Sequence, residues 1–298
     1  MKRMILAVML LALGGAAHAG PRERLLVSPA WAKDHAADSN LVILHAGTAD
    51  GYKAEHIPGA RLAEMAKLSV SVPGGLLTEL PPPEALHDAL AALGISDRSR
   101  LLLYYEPKGE RTATRIMVTL DAVGLGAHAM MLNGGIAAWK AAGNPVTAEV
   151  PALITGALSP LKIRPVVVDA DYVAAHLKTP GWRVLDARAP EFYSGEQAGL
   201  AGSVKGHIPG ARSVPYAGMT KEDGSFKSAV ELMAMFRAAN VKPGDHVIVY
   251  CHLGIQATEV MFAARTLGLS PQLYDGSFQD WSARKLPVEN PAAETPAK

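Results

Sequence analysis

The stretch HVIVYCHLGIQAT, from His246 to Thr258, has a counterpart in RLLLYYEPKGERTAT, from Arg100 to Thr114. Each begins with a short apolar run and ends in a pattern typical of a helix, with a loop between them. A buried strand that leads into a helix is the building unit of a parallel α/β sheet. Two copies of this unit predict two domains of one α/β fold.

Two further pairs of segments repeat in the same order. EHIPGARLAEM at Glu55–Met65 recurs as GHIPGARSVPY at Gly206–Tyr216. Likewise, NGGIAAWKAAGNPV at Asn133–Val146 matches DGSFQDWSARKLPV at Asp275–Val288. Repeated landmarks at similar intervals indicate a duplicated structural unit.

The duplication and the composition between the copies set the expected domain boundaries. Residues 147–165 contain three prolines and no clear period, which is typical of a linker. We therefore expect a first domain at 20–146, a second at 166–288 and a flexible tail at 289–298. A chain of 298 residues has room for two domains of the usual size, about 100–150 residues each.

Hydrophobic patterns place the secondary structure within each copy. Helices are predicted at Pro29–His35, Pro83–Leu93, Thr112–Val123, Ile136–Ala142, Ala170–Leu177, Ser228–Ala239, Gln256–Leu267 and Ser277–Lys285. Strands are predicted for the runs LVILHA, LLLYY, AMMLN, WRVLDA, HVIVYC and PQLYD. Because these runs are apolar on both faces, each sheet should be mainly parallel and covered by helices on both faces.

The N-terminus has the features of a secretory signal peptide. Lys2 and Arg3 precede an apolar run from Met4 to about Ala17, and the small residues Ala17 and Ala19 bracket the expected cleavage point. This charge order and length predict residues 1–19 as a signal peptide cleaved near Ala19, with a periplasmic or secreted product. The run is too short for a bilayer span of roughly 20 residues, so we expect no membrane span after processing.

The charge balance argues against some partners. The formal net charge is +1, and removing Lys2 and Arg3 takes the basic residues from 29 to 27 against 28 acidic ones, which gives −1. A near-neutral chain has no electrostatic reason to bind nucleic acid or acidic lipid.

Cys251 is the single cysteine of the chain. A lone cysteine in an exported protein is either a small core residue or a reactive thiol. It lies at the carboxyl end of a predicted strand, where open α/β sheets bind ligands, and Gly254 allows a sharp turn into the next helix. Loop amides and the helix dipole should then lower the thiol pKa, which favours a reactive thiol. The first copy has Tyr105 at this position and therefore lacks the nucleophile.

Four motifs give the chain a resemblance to tandem-domain rhodaneses, sulfurtransferases of the thiosulfate or 3-mercaptopyruvate type. They are HIPGA in both halves, DAR at Asp186–Arg188, the loop CHLGIQ at Cys251–Gln256 and YDGSFQDW at Tyr274–Trp281. The resemblance implies two rhodanese-like domains and a catalytic Cys251 that carries sulfur as a persulfide. It implies a small anionic donor, with thiosulfate favoured, a cyanide or thiol acceptor that includes protein thiols, and no metal or organic cofactor.

The resemblance also implies which residues line the pocket. These substrate-binding residues are Arg188, His252, Leu253, Gly254, Ile255, Gln256 and Ala257. Arg188 either holds the anionic donor or forms a structural ion pair, with equal weight on each. His252 and Gln256 match neither donor pattern of the family, and Glu191 stands near the place where many members have a second arginine. The choice between the two donors therefore stays open.

Two other functions compete with sulfur transfer. A related phosphatase would need an arginine at the position of Ala257 to clamp phosphate oxygens, and the residue there is alanine. A non-enzymatic persulfide carrier or sulfur-relay protein in the periplasm stays open, because a carrier also needs Cys251. His56 and His207 recur in both copies, so a structural role is favoured for them.

Overall fold

The first domain contains one parallel sheet and its helices. The computed structural model describes residues 20–73, 75–152, 154–200 and 203–294, so the predicted signal peptide at 1–19 lies outside the described residues. The strands are β1 (Leu26–Val27), β2 (Leu41–Ala46), β3 (Arg61–Ala63), β4 (Arg100–Tyr105) and β5 (Ala129–Leu132). The helices are α1 (Pro21–Leu25), α2 (Pro29–His35), α3 (Ala49–Ala54), α4 (Pro83–Ala92), α5 (Glu110–Ala122) and α6 (Gly135–Ala141).

The second domain repeats this arrangement. Its strands are β6 (Val167–Val168), β7 (Trp182–Asp186), β8 (Arg212–Ser213), β9 (His246–Tyr250) and β10 (Pro271–Tyr274). Its helices are α7 (Ala170–His176), α8 (Pro190–Ser194), α9 (Ala229–Ala238), α10 (Gln256–Thr266), α11 (Ser277–Ala283) and α12 (Pro291–Glu294). None of the helices in the described ranges is long and apolar enough to cross a membrane.

The two sheets have the same topology. The strand orders are β1-β5-β4-β2-β3 and β6-β10-β9-β7-β8, and every neighbouring pair is parallel. The register also repeats, since Leu41 lies opposite Arg100 in the first sheet and Trp182 opposite His246 in the second. The α/β fold class predicted from the duplication is confirmed.

The two domains share a hydrophobic core. One buried cluster runs through both sheets and includes Ile116 of α5 and Met261 of α10, while each domain has a smaller cluster on its outer face. At the centre of the contact, the Oγ1 atoms of Thr114 and Thr258 lie 2.8 Å apart. These threonines occupy equivalent positions in the two copies, so the domains meet about a pseudo-two-fold axis.

The described part of the predicted tail packs against the second domain. Glu289 forms a backbone bridge with His207, and its Oε2 lies 3.2 Å from His207 Nε2. Residues 291–294 form α12. The expectation of a flexible tail from residue 289 therefore does not fit these residues, because the backbone bridge to His207 holds the start of the segment.

Candidate active site

The Cys251 thiol lies between β9 and α10, at the carboxyl end of the second sheet. Cys251 is 1% exposed, and its backbone N–H donates to Ser277 Oγ at 3.1 Å. Phe278 N–H donates to the Cys251 carbonyl at 3.0 Å. The start of α11 therefore holds the backbone of the thiol residue in place.

Backbone amides of the following loop surround the sulfur. The N–H groups of Leu253, Gly254, Gln256 and Ala257 hydrogen-bond the Cys251 sulfur, and each favours the thiolate. The predicted amide cradle is thus present. However, burial outweighs these hydrogen bonds and raises the pKa of the Cys251 thiol above its ordinary value. The expected lowering of this pKa was wrong, because the sequence pattern shows the amides but not how completely the thiol is removed from water.

Gly254 makes the tight loop possible. Its φ is +77°, in the left-handed region that side chains disfavour. A Cβ at this position would lie 2.7 Å from the Asp275 carbonyl oxygen and would also overlap the Asp275 carboxylate. The loop can therefore pass between the thiol and Asp275 only with glycine at this position.

Arg188 is held in a buried ion pair. It is 1% exposed, and its Nη2 donates to Asp186 Oδ2 at 2.6 Å while its Nε donates to Asp186 Oδ1 at 3.0 Å. Nη2 also donates to the Gly206 carbonyl at 2.8 Å, and the guanidinium carbon lies 4.0 Å from the centre of the Phe278 ring. Of the two roles considered for Arg188, the geometry fits the structural ion pair. An anionic ligand would therefore meet an arginine whose charge is largely compensated by Asp186.

His252 forms one wall of the site and is neutral at pH 7. Its ring meets the Phe192 ring edge-on at 4.7 Å, and a Cβ on Gly199 would lie 2.5 Å from the His252 ring. Burial, aided by the nearby Arg188 charge, lowers the pKa of His252 to about 4, although Asp186 opposes the shift. His252 can therefore form a hydrogen bond with a bound ligand but carries no positive charge to attract an anion.

The other predicted loop residues have different surroundings. The Leu253 carbonyl accepts from Thr78 Oγ1 at 2.7 Å. Gln256 Oε1 is buried and accepts no hydrogen bond from any of the described residues. Ala257 is fully buried, so its side chain is core and only its amide reaches the sulfur, while Ile255 is half-buried.

Residues from the first domain complete the site, and these were missed from the sequence. Arg115 of α5 is 1% exposed, and its Nη2 donates to Asp275 Oδ2 at 2.9 Å. The same nitrogen bonds the Thr78 carbonyl, and Nη1 bonds Asp275 Oδ1. Alignment of the copies places Arg115 opposite Glu259, and this reversal of charge was the signal that could have identified it.

Glu79 lies beside this ion pair. Burial and the neighbouring Asp275 carboxylate raise the pKa of Glu79 to about 7, against the effect of Arg115. Glu79 Oε1 is buried and has no hydrogen-bond partner among the residues that the structure describes. The first domain therefore brings a cation and a weakly acidic carboxyl group next to the catalytic loop.

Tyr105 fills the equivalent place in the first domain. It is 1% exposed, its hydroxyl donates to the Gly224 carbonyl at 2.8 Å, and it accepts from Gly134 N–H at 3.0 Å. The paired histidines are also structural, because His56 and His207 each bond a carbonyl oxygen through Nδ1 at 2.7 Å. Within the described residues, no group of three or more His, Cys, Asp and Glu side chains is arranged to hold a metal ion.

A buried thiol, ringed by loop amides at the carboxyl end of a parallel sheet, defines a class of proteins that do chemistry on a cysteine sulfur. A family model for the rhodanese-like domain matches residues 28–142 and 169–284. The chain belongs to the rhodanese-like family and carries two copies of its domain.

Two similar proteins are named as sulfurtransferases. A probable 3-mercaptopyruvate sulfurtransferase of Pseudomonas aeruginosa is 34% identical over 77% of this chain and 82% of its own length. A putative thiosulfate sulfurtransferase of Synechococcus elongatus is 31% identical over 88% and 84% of the two chains. At the level of the family, the activity is sulfur transfer.

The chain is also similar in sequence to a sulfur carrier protein and in fold to a solved enzyme structure. The sulfur carrier protein TtuD of Thermus thermophilus is 27% identical over 86% of this chain and 93% of its own. An anaerobic ergothioneine biosynthesis enzyme from Chlorobium limicola matches with a TM-score of 0.80 at 22% identity, over 90% of this chain and 71% of that chain. At this identity, the likeness to the Chlorobium enzyme concerns the fold alone.

Proposed function

We propose that the protein transfers sulfane sulfur from thiosulfate or 3-mercaptopyruvate to a thiol or cyanide through a persulfide on Cys251. The observation that carries this proposal is the set of four loop amides around the Cys251 sulfur. Such amides stabilise a thiolate and the negative charge of a persulfide without moving.

The reaction takes two displacements. The Cys251 thiol loses its proton to solvent, and the thiolate bonds to the outer sulfur of thiosulfate as the sulfur–sulfur bond of the donor breaks, so that sulfite leaves with the electron pair. With 3-mercaptopyruvate the carbon–sulfur bond breaks instead, and pyruvate leaves as an enolate that takes up a proton. The acceptor then attacks the terminal sulfur of the persulfide and releases Cys251 as a thiolate.

Neutral His252 can give the sulfur donor a hydrogen bond, whereas the charge of Arg188 is compensated by Asp186, so the donor meets no strong cation. The test is transfer to cyanide by the purified protein, with thiosulfate and 3-mercaptopyruvate compared at equal concentration. Cys251→Ser should abolish thiocyanate formation while leaving the unfolding temperature unchanged, because a hydroxyl is far less acidic than a thiol. Thiocyanate formation by that variant would refute the proposal.

A persulfide carrier is the second candidate, supported by the likeness to the Thermus carrier protein. A carrier would accept one sulfur on Cys251 and hold it until a partner thiol arrives. Mass spectrometry after incubation with donor distinguishes the two roles. Stoichiometric persulfide without turnover on cyanide or small thiols would indicate the carrier.

We also propose that the protein works outside the cytoplasm after removal of residues 1–19. The charge order and length of that segment support this proposal. The N-terminal sequence of the protein isolated from its own cells tests it. A product that still begins at Met1 and fractionates with the cytoplasm would overturn it.

A further inference from the structure

A basic groove lies at the edge of the second domain away from the thiol. Its volume is about 530 Å³, and its lining includes Lys178, Trp182, Arg183, Arg212, Asn240 and Lys242. We call it the second-domain groove. Trp182 begins β7 and Asp186 ends it, so the groove and the active site are separated by roughly 13 Å of strand.

The charge of the groove is largely uncompensated. Arg183 Nε lies 3.2 Å from Asp245 Oδ2. Among the described residues, this is the one ion pair that Arg183 forms. Lys178, Arg212 and Lys242 are exposed, and within the part of the chain that the structure describes no carboxylate lies at ion-pair distance from them. On a nearly neutral chain, three free cations in one cleft form a local positive field.

The register of the two sheets gives the first-domain counterparts of these cations. Leu44 pairs with Arg61 as Leu185 pairs with Arg212, so the two arginines are equivalent. By the same register, the counterparts of Lys178, Arg183 and Lys242 are Ala37, Val42 and Ser96. The first domain thus keeps one cation where the second has four, and Arg61 is bonded to the Leu93 carbonyl.

A stretch of the linker that is neither helix nor strand occupies the equivalent place in the first domain. Gly156 N–H of the linker donates to the Ala91 carbonyl at 2.8 Å, and Ala157 N–H donates to Ser96 Oγ at 3.0 Å. The Ile154 carbonyl lies so close to Gly94 that a Cβ there would be 2.8 Å from it. The fold therefore already docks an irregular segment of chain at this surface once.

The second-domain counterpart of this surface is open and carries polar groups. Asn240, which replaces Gly94 and has φ +60°, offers an amide that can donate to and accept from a peptide backbone. The groove volume falls in the range of pockets for ligands much larger than one oxyanion, about 300–1,000 Å³. We propose that the second-domain groove docks an extended acidic segment of a partner protein.

Fluorescence anisotropy at low ionic strength tests this proposal with a labelled peptide of about ten residues that alternates glutamate and alanine. The wild-type protein should bind this peptide and not the matching lysine–alanine peptide. The double variant Lys178→Ala with Lys242→Ser introduces the residues found at the equivalent positions of the first domain. It should weaken binding of the acidic peptide by about fivefold or more. The control Lys33→Ala with Lys162→Ser removes the same charge elsewhere and should change binding by less than about twofold.

Carbodiimide coupling locates the bound peptide. The proposal expects glutamate cross-links at Lys178 or Lys242, mapped by mass spectrometry of the coupled protein. Equal binding by the two double variants, or no binding of the acidic peptide by the wild type, would overturn the proposal. Tighter binding of a single-stranded oligonucleotide or of inorganic polyphosphate than of the peptide would overturn the assignment to a protein segment.

Discussion

At the scale of single residues, the Cys251 thiol is held between two opposing effects. Four amide hydrogen bonds favour the thiolate, whereas complete burial favours the neutral thiol, and burial is the larger. A site of this kind stabilises negative charge on sulfur without ionising the thiol fully at neutral pH. Deprotonation is therefore expected to limit the first displacement at pH 7.

The raised pKa predicts slow alkylation of Cys251 at neutral pH. The rate of modification by iodoacetamide should rise through the alkaline range, with a midpoint above that of a free cysteine, about 8.5. Measuring the rate against pH in native protein and in protein unfolded in urea checks this. A native midpoint below that of the unfolded protein would show that the amides outweigh burial.

Gly254 gives a second prediction at the residue scale. Gly254→Ala should lower stability by about 1–3 kcal/mol and reduce sulfur transfer, because the methyl group meets Asp275 and the backbone has a positive φ. Gly244→Ala is the control, since Gly244 has φ +87° but, apart from its chain neighbours, no described residue has an atom within 4 Å of the added carbon. If both variants lose the same stability and activity, close packing against Asp275 is not the cause.

At the scale of elements, α5 supports the catalytic loop from across the domain interface. Arg115 projects from α5 to the Asp275 carboxylate, and Asp275 lies directly against Gly254. Thr78, in the loop before α4, bonds the Leu253 carbonyl. The second domain alone would lack these contacts, so we expect the loop geometry to depend on the first domain.

Breaking the buried pair should therefore be costly. Arg115→Met leaves the Asp275 carboxyl group buried without its cation, with an expected loss of about 3–5 kcal/mol in the free energy of unfolding. Arg100→Met removes a half-exposed partner of Asp38, at 3.3 Å, and should cost less than about 1 kcal/mol. Urea denaturation of both variants measures the difference, and similar losses would argue against a special role for the Arg115 pair.

The elements themselves were largely predictable. All eight helices expected from the hydrophobic pattern are present, and so are the six strands. The strands that were missed, such as Leu26–Val27 and Arg212–Ser213, have two or three residues. A run that short has no period to detect, and its pairing is decided by neighbouring strands.

At the scale of the whole molecule, the shared core joins the two domains. Because one hydrophobic cluster passes through both sheets, we expect the domains to unfold together. Glu259 of α10 lies at this interface and is 3% exposed. Burial and the nearby Glu110 carboxylate raise the pKa of Glu259 to about 8, although Arg111 opposes the shift.

The raised pKa of Glu259 makes stability depend on pH. The folded protein keeps this proton up to about pH 8, while the unfolded chain releases it near pH 4.5, so its contribution to stability falls as the pH rises between these values. Because each pH unit of this window is worth about 1.4 kcal/mol, the stability of Glu259→Gln relative to wild type should rise by several kcal/mol between pH 4.5 and pH 8. Glu149→Gln, on an exposed residue, is the control, and parallel pH curves for Glu259→Gln and wild type would contradict the prediction.

The sequence by itself determined the duplicated α/β fold, the single thiol and its place at the end of a strand, because repeats and hydrophobic periods are local features. Only the tertiary structure decided the electrostatic state of the site. Arg188 is compensated, His252 is neutral, and Arg115 reaches Asp275 from 160 residues away in the chain. Burial and pairing of charges depend on which distant residues pack together, and no local pattern specifies that.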